Sequence, residues 1–467
     1  MRIGAIDQGT TSTRILVADD AGVRVAGTFT HQTRYPQPGW VEQDALEIAA
    51  NIEKSIAAAG PVDALGLANQ GESCLAWDTV SKEPLTPIIV WQDNRTAAEL
   101  CALPKEVIAR ITALSSLPAD AYFSASKLGW IMRTVPAARH AHAQGQLRLG
   151  TTDAFYLDRL AGRFATDRAT ASRTSLMNMH TGEWDAELCT IFGVPIDCLP
   201  PIRPNVSEFG AIGGVPVRAS IVDQQAALYG HGCRSPGDLK ITFGTGAFAL
   251  ALTAKAVAPE RAAGLLPTVA WDLGDGVRYA VDGGVYDVGS AINWAIRIGI
   301  ADSLKAFQHF EAPPAITRDL VFVPAFSGLA APHWDRTAAP LIMGMSPETT
   351  RRDLCQALLE GIALSTALII DAMSAVVPGS ARISVDGGVS QSPYFVQFLA
   401  DCLQREIQVR AFHEQTALGV AMLAAGDRAK SLAAPQQADR TYLPRSGPWT
   451  ALRARFDDAA KRSRGWR

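Results

Sequence analysis

The chain has 467 residues, 48% hydrophobic and 19% charged, which is enough for two or three domains with substantial buried interiors. Lys and Arg number 43 against 46 Asp and Glu, a net charge of −3 with no long run of either sign, so the electrostatics exclude a general affinity for nucleic acid or an anionic membrane. A small anion held by local backbone amides stays open.

In chain order, Ile3 to Ile6 read as a short apolar strand, not as the basic-then-apolar start of a secretory signal. The polar turn Asp7-Gln8-Gly9-Thr10-Thr11 follows. An apolar run resumes over Ile15 to Ala18, and Asp19-Asp20-Ala21-Gly22 turns the chain again before Val23 to Ala26. Short strands joined by tight Gly- and Asp-containing turns predict a β-meander. Helical periodicity covers Leu46 to Ala58, and another strand, Ala64 to Leu67, runs into Asn69-Gln70-Gly71-Glu72. Strands alternating with helices predict an α/β fold.

The opening device recurs. Leu239 to Thr242 predict a strand, Phe243-Gly244-Thr245-Gly246 a turn, and Ala247 to Leu252 a returning strand. Two copies of strand, Gly/Thr hairpin and strand suggest a duplicated domain. A boundary near Gly230 to Pro236 gives an N-terminal domain over 1–230 and a C-terminal domain over 231–467. Further on, Asp353 to Met373 carries apolar residues at helical spacing and predicts a largely buried helix. Ile383 to Val385 predicts a strand ending in Asp386-Gly387-Gly388, followed by a helix over Tyr394 to Leu403. That arrangement offers backbone amides and a helix N-terminus to a phosphate or ribose. The Pro-, Arg- and Lys-rich tail from Lys430 predicts a peripheral helix.

Seven cysteines, never spaced as CxxC, fit a reducing compartment and neither a disulfide framework nor a zinc site. No uninterrupted apolar run approaches the roughly 20 residues of a membrane span. The expected location is the cytoplasm.

Phosphoryl transfer needs a grip on nucleotide phosphates, a carboxylate-held metal and a base for the attacking hydroxyl. The chain has no GxxxxGK[ST] and no eukaryotic-type kinase signature, which leaves the Gly/Thr hairpins. In the first, Gly9 lets backbone approach an anion, Thr10 and Thr11 offer hydroxyls, Asp7 can hold hydrated Mg²⁺, and Arg14 can neutralise phosphate. An ordinary turn is the competing reading. Asp223-Gln224-Gln225, after the apolar Ala219 to Val222, suits a general base with orienting carboxamides, or else a helix N-cap. Asn69 to Glu72 and Trp91-Gln92-Asp93 are polar groups at strand ends, where open α/β sheets place ligands. Trp91, Tyr122 and Phe248 are either core aromatics or a wall for the C–H face of a polyol.

With these segments in hand, the chain resembles the FGGY family of carbohydrate kinases, and within it the glycerol kinase branch. The resemblance runs through AIDQGTTSTRILVAD, YPQPGWVEQD, IIVWQDNRT, YFSASKLGWI, ASRTSLMNMHTGEWD, VDQQAALYG, FGTGAF, VPAFSGLAAPHWD and VDGGVSQSPYFVQFLAD, to about Gly426. It implies a two-domain actin-like ATPase (ribonuclease-H-like) fold with the active site in the interdomain cleft, and ATP and Mg²⁺ as cofactors. By similarity, Asp7 coordinates the metal with Asp223 as a second carboxylate, and Thr10, Thr11 and Arg14 handle the transferred phosphate. Asp223 is then the catalytic base, and Gly244, Thr245, Gly289, Gly388 and Ser392 lie near ATP. Glu72, Trp91, Tyr122, Gln224 and Phe248 fall in the substrate pocket, together with Asp223 and Gly71.

Gly71 is a departure, because the glycerol kinase branch has an arginine there that hydrogen-bonds substrate hydroxyls. A hydrogen bond from a charged group contributes about 1.5–3 kcal/mol. Its loss suggests a four- or five-carbon polyol or ketose, with glycerol, its hydroxyls met by water or another basic side chain, as the alternative. A second alternative is an actin-like ATPase switch without a sugar acceptor. The stretch Gly210 to Arg218 is shorter than the loop of relatives inhibited by fructose 1,6-bisphosphate, which implies no such inhibition. Pro340 stands where the family's second signature has a small residue, a local departure in backbone alone. The expected partner is a small-molecule substrate, with a homodimer open.

Overall fold

A computed structural model describes residues 1–377, 382–432 and 439–467 of the chain. They form two compact units, Met1–Gly232 with Pro267–Tyr279 and Glu414–Gln436, and Cys233–Leu266 with Ala280–His413 and Gln437–Arg467. Each unit is discontinuous, where the sequence alone suggests one division near residue 230.

In the first unit, β1 (Ile3–Gln8), β2 (Ser12–Asp19) and β3 (Gly22–Thr30) form the meander, with Asp7 opposite Arg14 across the β1–β2 hairpin. Helix α1 (Ala45–Ala59) starts at Asp44, whose carboxylate accepts from the amides of Leu46 and Glu47, and it packs against β2 and β3. On its other side β1 runs parallel to β4 (Ala64–Asn69), and β4 runs parallel to β5 (Val215–Val222). Strands covered on both faces read as near-continuous apolar runs, and β4 is buried at every residue. The register pairs Gln8 with Asn69 and Asn69 with Val222, so the C-terminal ends of β1, β4 and β5 share one edge.

Helix α2 (Asp223–Gly230) leaves β5 at that edge, and the helix Gln415–Ala425 packs across α2, β1 and β4. This packing draws 414–425 back into the first unit. The two helices meet as bare backbone: a Cβ on Gly230 would lie 2.0 Å from the Gln415 carbonyl oxygen, and one on Gly419 1.9 Å from that of Ala226.

The second unit repeats the plan. A hairpin of β6 (Leu239–Phe243) and β7 (Ala247–Thr253) has β8 (Val277–Val285) on its outer side. Helix α3 (Gly289–Arg297) follows, then α4 (Arg351–Val376), whose first turn Thr350 and Asp353 close as a capping box. Beyond them come β9 (Ile383–Gly387), α5 (Pro393–Leu403), β10 (Ile407–Val409), β11 (Arg440–Tyr442) and α6 (Trp449–Arg462). β6 runs parallel to β9 and β9 to β10, with β11 antiparallel at the edge. The order β3-β2-β1-β4-β5 of the first unit thus returns as β8-β7-β6-β9-β10. This is the duplication that the twin hairpins suggest.

The largely buried helix expected over Asp353 to Met373 is α4; by length and composition it is apolar enough to cross a membrane, with 67% of its most apolar stretch buried inside the fold. One expectation changes. The tail helix α6 is not peripheral, since Trp449, Leu452 and Phe456 join the core of the second unit. Residues 433–438 of that tail lie outside the described residues. All seven cysteines are free thiols.

Candidate active site

Asp7 is the penultimate residue of β1 and Asp223 opens α2, so both carboxylates stand at the edge shared by the parallel strands. The N-cap position falls on Val222, so Asp223 is the first residue of its helix and not its cap; it is half-buried. Burial pushes the Asp7 carboxyl up to about 7; the Asp223 carboxylate adds to the rise, Arg14 opposes it and Glu414 adds to it. Arg14, opposite Asp7 in the hairpin, is ion-paired with Glu414, and its Nε donates to Thr28 Oγ1 at 3.3 Å. A guanidinium has five N–H donors, and Glu414 and Thr28 engage only two of its three nitrogens. Asp7, Asp223 and Glu414 together outnumber Arg14, and an all-oxygen anionic donor set suits Mg²⁺.

The hairpin tip is pinned from three sides. The Gly9 amide donates to Ser12 O at 3.0 Å and closes the turn. Thr10 O accepts from Gln43 Nε2 at 2.6 Å and from His31 Nε2 at 2.9 Å, and Thr10 Oγ1 accepts from Trp91 Nε1 at 3.0 Å. An indole N–H can only donate. The Thr10 hydroxyl therefore serves as acceptor to Trp91 and keeps its own proton for another oxygen. Thr11, next along, is exposed.

The wall beyond Trp91 is built around one backbone outlier. Glu72 has φ of +58° and the Ser73 amide closes onto Gly71 O at 2.6 Å, a left-handed turn of the strained kind that concentrates at functional sites. Its carboxylate is buried against Arg173, whose Nε donates to Glu72 Oε1 at 2.6 Å. A Cβ on Gly71 would sit 2.8 Å from Val222 Cγ2, so Val222 fills the space directly beside it. Trp91 and Tyr122 meet edge to face at 5.6 Å, and both remain half-exposed. Fully buried Lys127 donates to Tyr122 O at 3.1 Å and Val90 O at 3.4 Å, which ties together the segments carrying both rings. Gln224 follows Asp223 on α2, half-buried. Phe248 belongs to the other unit, on β7. Removing one member of a buried ion pair strands the other charge, so Arg173→Ala should lower stability by about 3–5 kcal/mol in urea unfolding of the full chain.

In the second unit, Gly244, Thr245, Gly289, Gly388 and Ser392 line one cavity of about 300 Å³, with Phe307 and Leu359 among its apolar walls. That volume is at the lower end for small-molecule sites. The amides of Gly289 and Ser290 donate to Gly244 O and Thr245 O at 3.1 and 3.2 Å, so the start of α3 is already satisfied by the hairpin. Ser392 is committed too: its hydroxyl donates to Phe307 O at 2.7 Å and caps α5 by accepting from Phe395 N at 3.2 Å. It shapes the wall and holds no free donor there. Gly244, Thr245 and Gly388 are exposed.

Sequence reasoning missed Gln43, Lys127, Arg173 and Glu414. The first three lie inside the quoted segments YPQPGWVEQD, YFSASKLGWI and ASRTSLMNMHTGEWD, so each was within reach. Glu414 is 400 residues from Arg14, and no local pattern announces it.

The family model described as the FGGY family of carbohydrate kinases, N-terminal domain, matches residues 2–230, and that of the C-terminal domain matches residues 239–426. The chain is similar to the glycerol kinase of Haloarcula marismortui, with 37% identity over 99% of this chain and 98% of that one. It is similar to the glycerol kinase of Thermococcus onnurineus at 36%, with the same coverage. Among solved structures it is similar to Plasmodium falciparum glycerol kinase with ADP, with a TM-score of 0.89 and 28% identity over 99% of this chain and 98% of that chain. In fold it is also similar to xylulose kinase from Lactobacillus acidophilus, with a TM-score of 0.86 and 20% identity over 99% and 98%.

Proposed function

The chain belongs to the FGGY family of carbohydrate kinases and is an ATP-dependent phosphotransferase, and from that premise we propose that it phosphorylates a primary hydroxyl of a four- or five-carbon polyol or ketose. The observation that carries the substrate reading is Gly71. The wall between Gln70 and Glu72 has no side chain to hold the hydroxyls of a three-carbon acceptor, and Glu72 is turned onto Arg173.

In this reading Asp223 takes the proton from the acceptor hydroxyl as its oxygen attacks the γ-phosphorus in line, and ADP leaves. Thr10 donates its free hydroxyl proton to the transferred phosphoryl group, Thr11 adds a second hydroxyl, and Arg14 neutralises its charge. Asp7 and Asp223 would hold Mg²⁺, which neutralises phosphate charge when bound. Gly244, Thr245, Gly289 and Gly388 receive the nucleotide in the cavity of the second unit. Trp91 and Tyr122 provide aromatic surface for the carbon chain of the acceptor, with Gln224 for its hydroxyls, and Glu72 acts through the Arg173 it holds.

A second reading, glycerol itself, is favoured by Val222, which occupies the space beside Gly71, and by the guanidinium that Arg173 brings to Glu72. The two separate on a panel of glycerol, erythritol, L-threitol, xylitol and D-xylulose, scored by ADP release. The expected result is acceptor-dependent ATP consumption with the highest kcat/KM on a four- or five-carbon compound. Glycerol outperforming all of them would establish the second reading instead.

A further inference from the structure

We infer that Gln43 is a positioning residue that couples the acceptor pocket to the phosphate-binding hairpin. This rests on the reading of pocket and hairpin given above. Two hydrogen-bonded routes leave the acceptor wall and converge on Thr10. In one, Trp91 Nε1 donates to Thr10 Oγ1 at 3.0 Å. In the other, Gln70 Nε2 donates to Gln43 Oε1 at 2.8 Å, and Gln43 Nε2 donates to Thr10 O at 2.6 Å.

The direction of the second route is fixed by chemistry. A carbonyl oxygen can only accept, so Gln43 must turn its NH₂ toward Thr10 and its oxygen toward Gln70. Gln70 must then turn its own NH₂ inward, and its Oε1 is left facing away. Gln43 and Gln70 are 0% and 1% exposed, and Gln70 Oε1 is buried with no hydrogen-bond donor among the described residues. Buried acceptors normally find a donor. A hydroxyl of the acceptor molecule at Gln70 would supply it, and each bond in such a chain polarises the next.

Gln43 is held firmly enough to transmit this. Its short strand, Glu42–Gln43, pairs with Thr33–Arg34 on one side and Ile88–Ile89 on the other. Its amide also donates to Thr33 Oγ1 at 3.0 Å. The neighbouring Glu42 is paired with Arg95 at 2.7 Å, and Arg95 in turn lies 3.7 Å over the ring of Trp40.

The test is a thermodynamic one on the full chain. The affinity of a non-hydrolysable ATP analogue is measured with and without a saturating amount of the best acceptor from the panel. In the unsubstituted protein the acceptor should tighten the analogue about fivefold or more. Gln43→Met, of matching length but without the amide, should bring that ratio to within about twofold of unity, beyond whatever it costs in melting temperature. A purely structural Gln43 would lower the melting temperature and leave the ratio alone. If Gln43→Met does not fold, Gln43→Glu keeps oxygens for Gln70 and removes the donor from Thr10, and it should lose the ratio equally. An unchanged ratio in the folded variant overturns the inference, as does a wild type that phosphorylates a polyol without tightening. Failure of every acceptor to be phosphorylated would instead strike the functional reading itself.

Discussion

Asp223→Asn is expected to slow acceptor phosphorylation by about 10²–10⁴-fold while leaving affinity for ADP without Mg²⁺ within a few-fold of the parent. The amide matches the carboxylate in shape but takes no proton at neutral pH. The helix should not suffer, because the N-cap position is Val222 and not Asp223. The five residues proposed for the nucleotide, which line the second unit's cavity, are drawn from other segments. Coupled ADP release and calorimetric titration of ADP measure the two quantities separately. Activity retained within tenfold of the parent would remove Asp223 from the role of base.

Asp7→Asn should act on both activity and stability, in opposite directions. Turnover should fall by at least the same factor, since Asp7 is the carboxylate placed opposite Arg14 in the β1–β2 hairpin that is proposed to bind phosphate. The metal-free protein should become more stable. Asp7 is lifted from 3.8 to about 7, by burial first and by the Asp223 carboxylate second, so the folded state holds a proton that the unfolded chain has released. Below pH 3.8 both states are protonated and the substitution changes nothing on this account. Between 3.8 and 7 the parent loses stability as pH rises, and above 7 the whole difference is present. Melting in EDTA should show the variant above the parent at pH 7.5, by about 1 °C for each kcal/mol recovered in a chain of 467 residues, with the gap narrowing toward pH 5. A variant that melts lower, or a gap independent of pH, would show that Asp7 carries no buried charge.

Local periodicity and turn chemistry make much of this fold legible before any coordinates. The twin hairpins at Asp7–Arg14 and Phe243–Ala247, and the strands running into Asn69 and Asp223, are short-range patterns. Each lies where its apolar run and its Gly/Thr turn place it. The pairing of Gln8 with Asn69 and of Asn69 with Val222 follows from strand order, which no single segment encodes. Groups that depend on a distant partner were beyond reach. The Arg14–Glu414 pair is one, and the Val222 methyl beside Gly71 is another. Ser392 shows the converse: a residue matched to a nucleotide site whose hydroxyl the helix α5 already uses.

The backbone crossing at Gly230 and Gly419 has a consequence for biogenesis. The helix that covers β1 and β4 emerges from the ribosome only after the 181 residues from Cys233 to His413 have been made. Until then the nascent first lobe carries an open seam along Gly66, where Val420 O later comes within 2.8 Å of a Cβ position. Fragments ending before residue 414 should therefore be recovered bound to chaperones or as aggregates. A side chain larger than hydrogen at either crossing glycine would keep the late helix from seating on α2, β1 and β4.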